Sequence, residues 1–200
     1  YRVGGTLSYD IGDYTVTAPL YPDTVTVYPD PVLHADYFIE KTVYSDDPFT
    51  DETEPAIPYS LGLRLSNTGA GRANNLRITS AQPRVTDNDK GLLIHFEIIG
   101  AQLGDQAVSP SLTINFNDIL PGESKTARWL FTSSLQGEFV DYEADFRHKD
   151  AIGDAHISLF ESADIHETVH VIRITEPFDD GSPDFLVNAE VDPDIIPEVI

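Results

Sequence analysis

The sequence predicts an all-β fold: an antiparallel β-sandwich with extra strands before it and an acidic connector after it. Three observations carry this. Apolar and β-branched residues alternate with period two along much of the chain, as in Tyr59 to Asn67, where Leu61, Leu63 and Leu65 share one face. Clusters of Gly, Pro, Asn and Asp interrupt the alternation at short intervals. No amphipathic stretch of period 3.6 runs longer than about three turns. With 40% hydrophobic and 10% aromatic residues there is material for a packed core.

Taken in order, Val3 to Ile11, Asp13 to Ala18 and the strictly alternating Thr24 to Tyr28 read as strands, broken by Gly12-Asp13, Pro19 and Pro22-Asp23. Three short strands cannot easily close a core. Residues 1–30 are therefore expected to be terminal strands of a preceding β domain or a β extension, with Pro29-Asp30-Pro31 as a stiff linker. The sandwich is expected over 31–174. Leu33 to Val43 opens it, and 45–58 is an acidic, proline-bearing loop. Tyr59 to Asn67, the turn at 67–71 and Asn75 to Ser80 follow. Then come the apolar run Gly91 to Gly100, Ser111 to Phe116, a turn at 119–124, Lys125 to Thr132, Gly137 to Arg147 and Ala155 to Ile174. Beyond Arg173 there is no basic residue, while Glu176, Asp179, Asp180, Asp184, Glu190, Asp192, Asp194 and Glu198 accumulate. Residues 175–200 read as an acidic, Pro-rich linker or the start of a next domain, outside any core.

The formal charge of −22, from 34 acidic and 12 basic residues, repels phosphate backbones and anionic lipid. Nucleic-acid binding and membrane insertion are not expected; solubility in saline surroundings and attraction of cations are. The absence of cysteine excludes disulfides, thiolate zinc sites and cysteine catalysis. With no methionine at position 1 and incomplete β elements at both ends, the expectation is a module of a longer, multi-domain chain.

Two segments carry a family resemblance. Leu61-Gly-Leu-Arg-Leu-Ser-Asn67-Thr-Gly69-Ala-Gly71-Arg-Ala73-Asn-Asn-Leu76 resembles the strand, Asn-x-Gly turn, strand hairpin of CARDB-type and related bacterial immunoglobulin-like modules. Ile119-Leu-Pro121-Gly122-Glu-Ser-Lys-Thr-Ala-Arg-Trp129 is similar to their Pro-Gly-Glu-Ser turn, and Gly137 to Ala144 resembles the strand after it. The resemblance spans about residues 60–147, interrupted by an insertion at roughly 83–110. It implies an immunoglobulin-like sandwich in an extracellular or cell-surface protein, acting as a spacer, adhesion module or filament subunit. It brings no catalytic residues. Independently, Gly69 or Gly71 is expected to supply the φ > 0 of a tight hairpin, and Pro121-Gly122 a type II turn.

His166-Glu167-Thr168-Val169-His170 matches the H-E-x-x-H pattern of zinc proteases, and Glu190 follows twenty residues on. Zinc binding needs a helix to bring both histidines to one metal. The surrounding Ile165, Thr168, Val169, Val171, Ile172 and Ile174 favour a strand, where the two would sit about 13 Å apart. A strand and no catalytic role are expected. Asp179, Asp180 and Asp184, in Asp-Asp-Gly-Ser-Pro-Asp, resemble the acidic turns of calcium-binding repeats; the alternatives are a calcium ion, the one cofactor considered, and a plain exposed acidic turn. Trp129 is expected in the core. Tyr9, Tyr14, Tyr21 and Tyr28 point to packing between strands and domains, or to an exposed aromatic ladder. Expected partners are neighbouring domains or identical subunits. The alternative is a carbohydrate-binding or accessory module of a secreted enzyme.

Overall fold

The computed structural model describes residues 1–80, 83–84, 94–138, 141–142, 145–147, 159–175, 177–179, 181–188 and 198–199. Among them there is no helix, and so none long and apolar enough to cross a membrane. A free-standing hairpin comes first, β1 (Thr6–Ile11) and β2 (Tyr14–Pro19). The body is built from β3 (Leu33–Ile39), β4 (Tyr59–Asn67), β5 (Ala73–Ser80), β6 (Phe96–Leu103), β7 (Gln106–Val108), β8 (Ile114–Ile119), β9 (Ser124–Ser133), β10 (Asp145–Arg147), β11 (Phe160–Ile172), β12 (Asp184–Val187) and β13 (Glu198–Val199). Two-residue pairs add Arg2–Val3 to Asp23–Thr24, Thr42–Val43 to Gly137–Glu138, and Pro83–Arg84 to Asp141–Tyr142.

The main sheet has eight strands in the order β7-β6-β9-β4-β3-β11-β12-β13, and a second sheet has three, β8-β5-β10. Among the described residues all pairs are antiparallel except one: β11 runs parallel to β3, from Phe160 opposite Leu33 to Glu167 opposite Ile39. The alternation seen in the sequence sets which residues turn inward. Leu33, Ala35 and Tyr37, then Leu61, Leu63 and Leu65, then Ala127, Trp129 and Phe131 face Leu76, Ile78, Ile114 and Phe116 in one buried cluster. Trp129 is wholly enclosed, and its indole N–H donates to the Ser111 carbonyl at 2.8 Å. That bond lets a large aromatic sit in the core without an orphaned donor.

One buried polar side chain holds the loops at the end of this core. Asn67, 1% exposed, closes β4. Its Oδ1 accepts from the Val32 N–H at 3.2 Å and the Gly69 N–H at 3.1 Å. Its Nδ2 donates to the carbonyls of Gly71 at 2.8 Å and Ile119 at 3.1 Å. Its backbone N–H donates to the Glu123 carbonyl, and its own carbonyl accepts from the Gly122 N–H. Two donors and two acceptor sites are all engaged, which is what burial of an amide requires.

The structure departs from the sequence reading in five places. Gly69 and Gly71 do not have positive φ; the glycines that do are Gly12, Gly104, Gly122 and Gly181. Gly69 and Gly71 are needed for room: the backbone of Pro29 to Val32 crosses them so closely that any Cβ would overlap it. Thr24 to Tyr28 is not a strand beyond Asp23–Thr24: Val25 exchanges two backbone hydrogen bonds with Tyr1, but Val25 and Val27 turn their side chains to solvent and the pairing goes no further. The Pro29-Asp30-Pro31 segment is fastened down, with Gly71 N–H on the Asp30 carbonyl and Thr68 N–H on that of Val32. The apolar run expected from Gly91 forms its strand from Phe96, and 91–93 fall outside the described residues. Finally, residues 184–187 of the expected connector belong to a core: β12 joins the main sheet, and Phe185 and Val187 are buried.

Pro121-Gly122 forms the expected turn, with Gly122 at φ 76° and the Glu123 N–H on the Leu120 carbonyl at 3.0 Å. The two kinds of glycine separate experimentally. Gly122→Asn keeps stability within about 1 kcal/mol, because Asn tolerates positive φ, whereas Gly71→Asn costs several times more. Chemical denaturation of both variants checks this. Asn67→Ala is expected to lose about 3 kcal/mol by the same measurement, since it strands the backbone groups of three loops.

Candidate interaction surfaces

The outer face of the main sheet carries the H-E-x-x-H segment. Parallel pairing sets Asp164 opposite Asp36 and His166 opposite Phe38. His166 Nε2 lies 3.1 Å from Asp36 Oδ1. The Arg64 guanidinium, one strand further on β4, donates to Asp36 Oδ2 from Nε at 3.3 Å and from a terminal nitrogen at 3.0 Å. Beside this row, the Phe38 ring stacks on His166 (centroids 5.3 Å apart) and on Phe185 (4.2 Å). Gly62 leaves the space that the Phe185 ring occupies. Phe185 thereby fastens β12 across the sheet.

His170 takes a different partner. Between Thr168 and His170 the pairing with β12 shifts, leaving Val169 as the extra residue of a bulge. His170 acts electrostatically on Glu40, just past β3. Burial pushes the Glu40 carboxyl above its usual range, and the Ser60 N–H and His170 pull it back part of the way. Each histidine of the segment thus faces a different carboxylate. The helical arrangement that a shared zinc needs is not formed, and Glu190 lies outside the described residues.

The expected calcium residues sit where the two margins of the main sheet approach. Asp179 Oδ1 accepts the Gly181 N–H at 2.8 Å, closing an Asx turn, and Asp184 Oδ2 accepts the Ile174 N–H at 2.8 Å. Asp180 is outside the described residues. Arg173 lies between Asp179 and Asp105, at 3.8 and 3.9 Å. Asp105, in the β6–β7 turn, is the member that sequence reasoning missed. Its only signal was Gly104-Asp105, a turn pair without a hint of its distant neighbour. Among the described residues, no group of three or more His, Asp or Glu side chains is placed to hold a metal.

Among the described residues, exposed apolar side chains gather near the N-terminus, and the hairpin sets four of them on one face. Ile11 and Tyr14 flank a two-residue turn in which Gly12 has φ 60° and Asp13 does not, the type II′ geometry. Register then sorts the side chains: Leu7, Tyr9, Ile11, Tyr14, Val16 and Ala18 lie on one face, and Thr6, Ser8, Asp10, Thr15 and Thr17 on the other. The polar face is knitted together by Thr15 to Asp10 at 2.6 Å and Ser8 with Thr17 at 3.2 Å. The apolar face is open, with Tyr14 78% exposed. Of the 19 exposed large hydrophobic residues among those described, 11 lie within residues 1–28, so the apolar surface is concentrated rather than scattered.

No protein-family model, curated protein or solved structure matches the chain.

Two outcomes follow for the sheet face. Phe185→Ala is expected to cost about 3 kcal/mol in denaturant unfolding, with faster amide exchange over 184–187. Glu40→Gln keeps the acceptor for Ser60 and removes a charge that burial disfavours. A folded-state pKa above the unfolded one means the folded chain binds more protons, so the Glu40 contribution falls as pH rises from about 4.5 through the folded value. The variant should therefore melt above the parent chain at pH 7, with the gap closing toward pH 4. A gap that widens on acidification would contradict this.

Proposed function

We propose that the chain is a non-catalytic structural and adhesion module of a large, multi-domain extracellular protein, a spacer or surface-filament subunit of CARDB-like kind. The observation that carries the reading is the parallel β3–β11 pair. β3 is the first strand of the body and β11 is its last long strand, and they lie side by side over seven register positions. Tension entering at Leu33 and leaving at Ile172 pulls the two strands along their length in opposite directions. Their hydrogen bonds are then loaded together, in shear, rather than opened one at a time. The N-terminal hairpin and the β12 and β13 segments, antiparallel to their neighbours, peel in advance.

Single-molecule pulling tests this. End-to-end tension should meet a high-force rupture. The chain has no native cysteine, so Lys41→Cys with Arg173→Cys supplies attachment points at the same end of the parallel pair, and tension there should open it at much lower force. Equal rupture forces in the two directions would remove the load-bearing reading.

The same proposal includes a calcium ion at Asp179, Asp180 and Asp184, with Asp105 alongside, stiffening the junction after β11. Bound calcium raises the melting temperature relative to chelator; an unmoved melting temperature discards this part and leaves the rest. A second reading, a carbohydrate-binding accessory module, is favoured by Tyr9 and Tyr14, diagonal neighbours on one exposed hairpin face. Loss of oligosaccharide retention in Tyr9→Ala and Tyr14→Ala would support it.

A further inference from the structure

We infer that the N-terminal hairpin is a self-association element: two copies of the chain pack the open faces of β1 and β2 against each other, forming a small four-stranded sandwich. The partner deepens the filament-subunit reading above and rests on it.

The pattern of the face is the first argument. All six same-face positions from Leu7 to Ala18 across the two strands are apolar, while the reverse face is polar and internally hydrogen-bonded. Such strict segregation is what a strand shows when one face is packed. Yet the hairpin makes no extensive contact with any other described strand. A two-stranded hairpin is marginal in water by itself. Covering the apolar face is what would stabilise it.

The chemistry of the face decides the occupant. A sugar site combines an aromatic platform with hydrogen-bonding groups around it. Here Leu7, Ile11, Val16 and Ala18 surround the two tyrosines, and the only polar atoms on the face are the phenol hydroxyls. Acidic or basic partners find nothing to pair with, although the chain carries −22 overall. A second copy fits in size, polarity and symmetry. Tyr9 and Val16 form the central register pair, so a two-fold axis through them sets Leu7 and Ala18 of one copy near Ile11 and Tyr14 of the other. Ala18 of one copy then meets Tyr14 of the other, Leu7 meets Ile11, and the layers stand about 10 Å apart. The covered area is roughly 500 Å² per copy, at the weak end of specific interfaces, so the dimer should depend on concentration. Two bodies of −22 repel each other, and screening that repulsion should tighten the dimer as salt is added.

Sedimentation equilibrium of the full chain tests this. The expected result is a monomer–dimer equilibrium that shifts toward dimer between 50 and 500 mM NaCl, on the order of the change in Debye length from about 14 to 4 Å. Tyr9→Glu with Ile11→Glu should abolish the dimer. Ser8→Glu, on the polar face, should leave it intact, and all variants should retain the parent unfolding transition of the body. In the cysteine-free background, Val16→Cys should be joined between copies by a short bis-thiol-reactive crosslinker and Thr17→Cys should not. A monomer at every concentration and salt level overturns the inference. So does equal association of the apolar-face and polar-face variants, or oligosaccharide binding by a monomer through Tyr9 and Tyr14. Pulling forces do not depend on the hairpin, so either proposal can fail without the other.

Discussion

The arrangement of this sandwich depends on a single amide. Asn67 sits at the end of β4 where three stretches of chain converge: the entry at Pro29 to Val32, the turn at 68–71 and the turn at 119–123. An apolar residue there would leave backbone donors and acceptors buried and unmatched, at a cost comparable to much of the net stability of a domain. A charged residue would bring a desolvation cost of its own. Asn offers two donors and two acceptor sites in one plane, and each is used. The glycines at 69 and 71 belong to the same device, because the entry segment can reach Asn67 only by passing over backbone that carries no Cβ.

Fixing the entry fixes the start of β3, and β3 organises the rest of the main sheet. On one side it receives β4, and on the other β11 in parallel register. The parallel pairing gathers Asp36, Arg64 and His166 into one row, and Phe38 into the stack with His166 and Phe185. Residues 130 positions apart in sequence meet because the first and last long strands of the body are neighbours. The charges in this row are half-buried and paired, so they contribute to register more than to net stability. In the same geometry tension is shared among the bonds of the pair.

Charge and apolar surface are divided between the parts. The body presents carboxylates with scattered apolar side chains among them. The hairpin presents a charge-free apolar face and turns its hydrogen-bonding residues away. An acidic exterior limits non-specific association, leaving the hairpin as the place where contact with another surface costs least.

Period two was readable directly. Leu61, Leu63 and Leu65, the core position of Trp129 on β9, and the break at Gly12-Asp13 all follow from alternation and turn chemistry, which act over a few residues. The Pro121-Gly122 turn is of the same kind. The identity of the H-E-x-x-H segment as a strand was also legible, since its β-branched neighbours oppose a helix. Its partners were not, because nothing near His166 in sequence announces Asp36 or Glu40. Gly69 and Gly71 look like residues chosen for backbone freedom, and only the crossing of Pro29 to Val32 reveals that they are chosen for space. Phe185 stands among acidic and proline residues, and its burial depends on Gly62, more than a hundred positions away. The sequence by itself determined the long strands of the body, their inward faces and the Pro121-Gly122 turn, because those depend on local sterics and on alternation. Only the tertiary structure decided which strands lie side by side, what each polar side chain pairs with and which apolar face is left open, because those depend on contacts between segments that sequence order keeps apart.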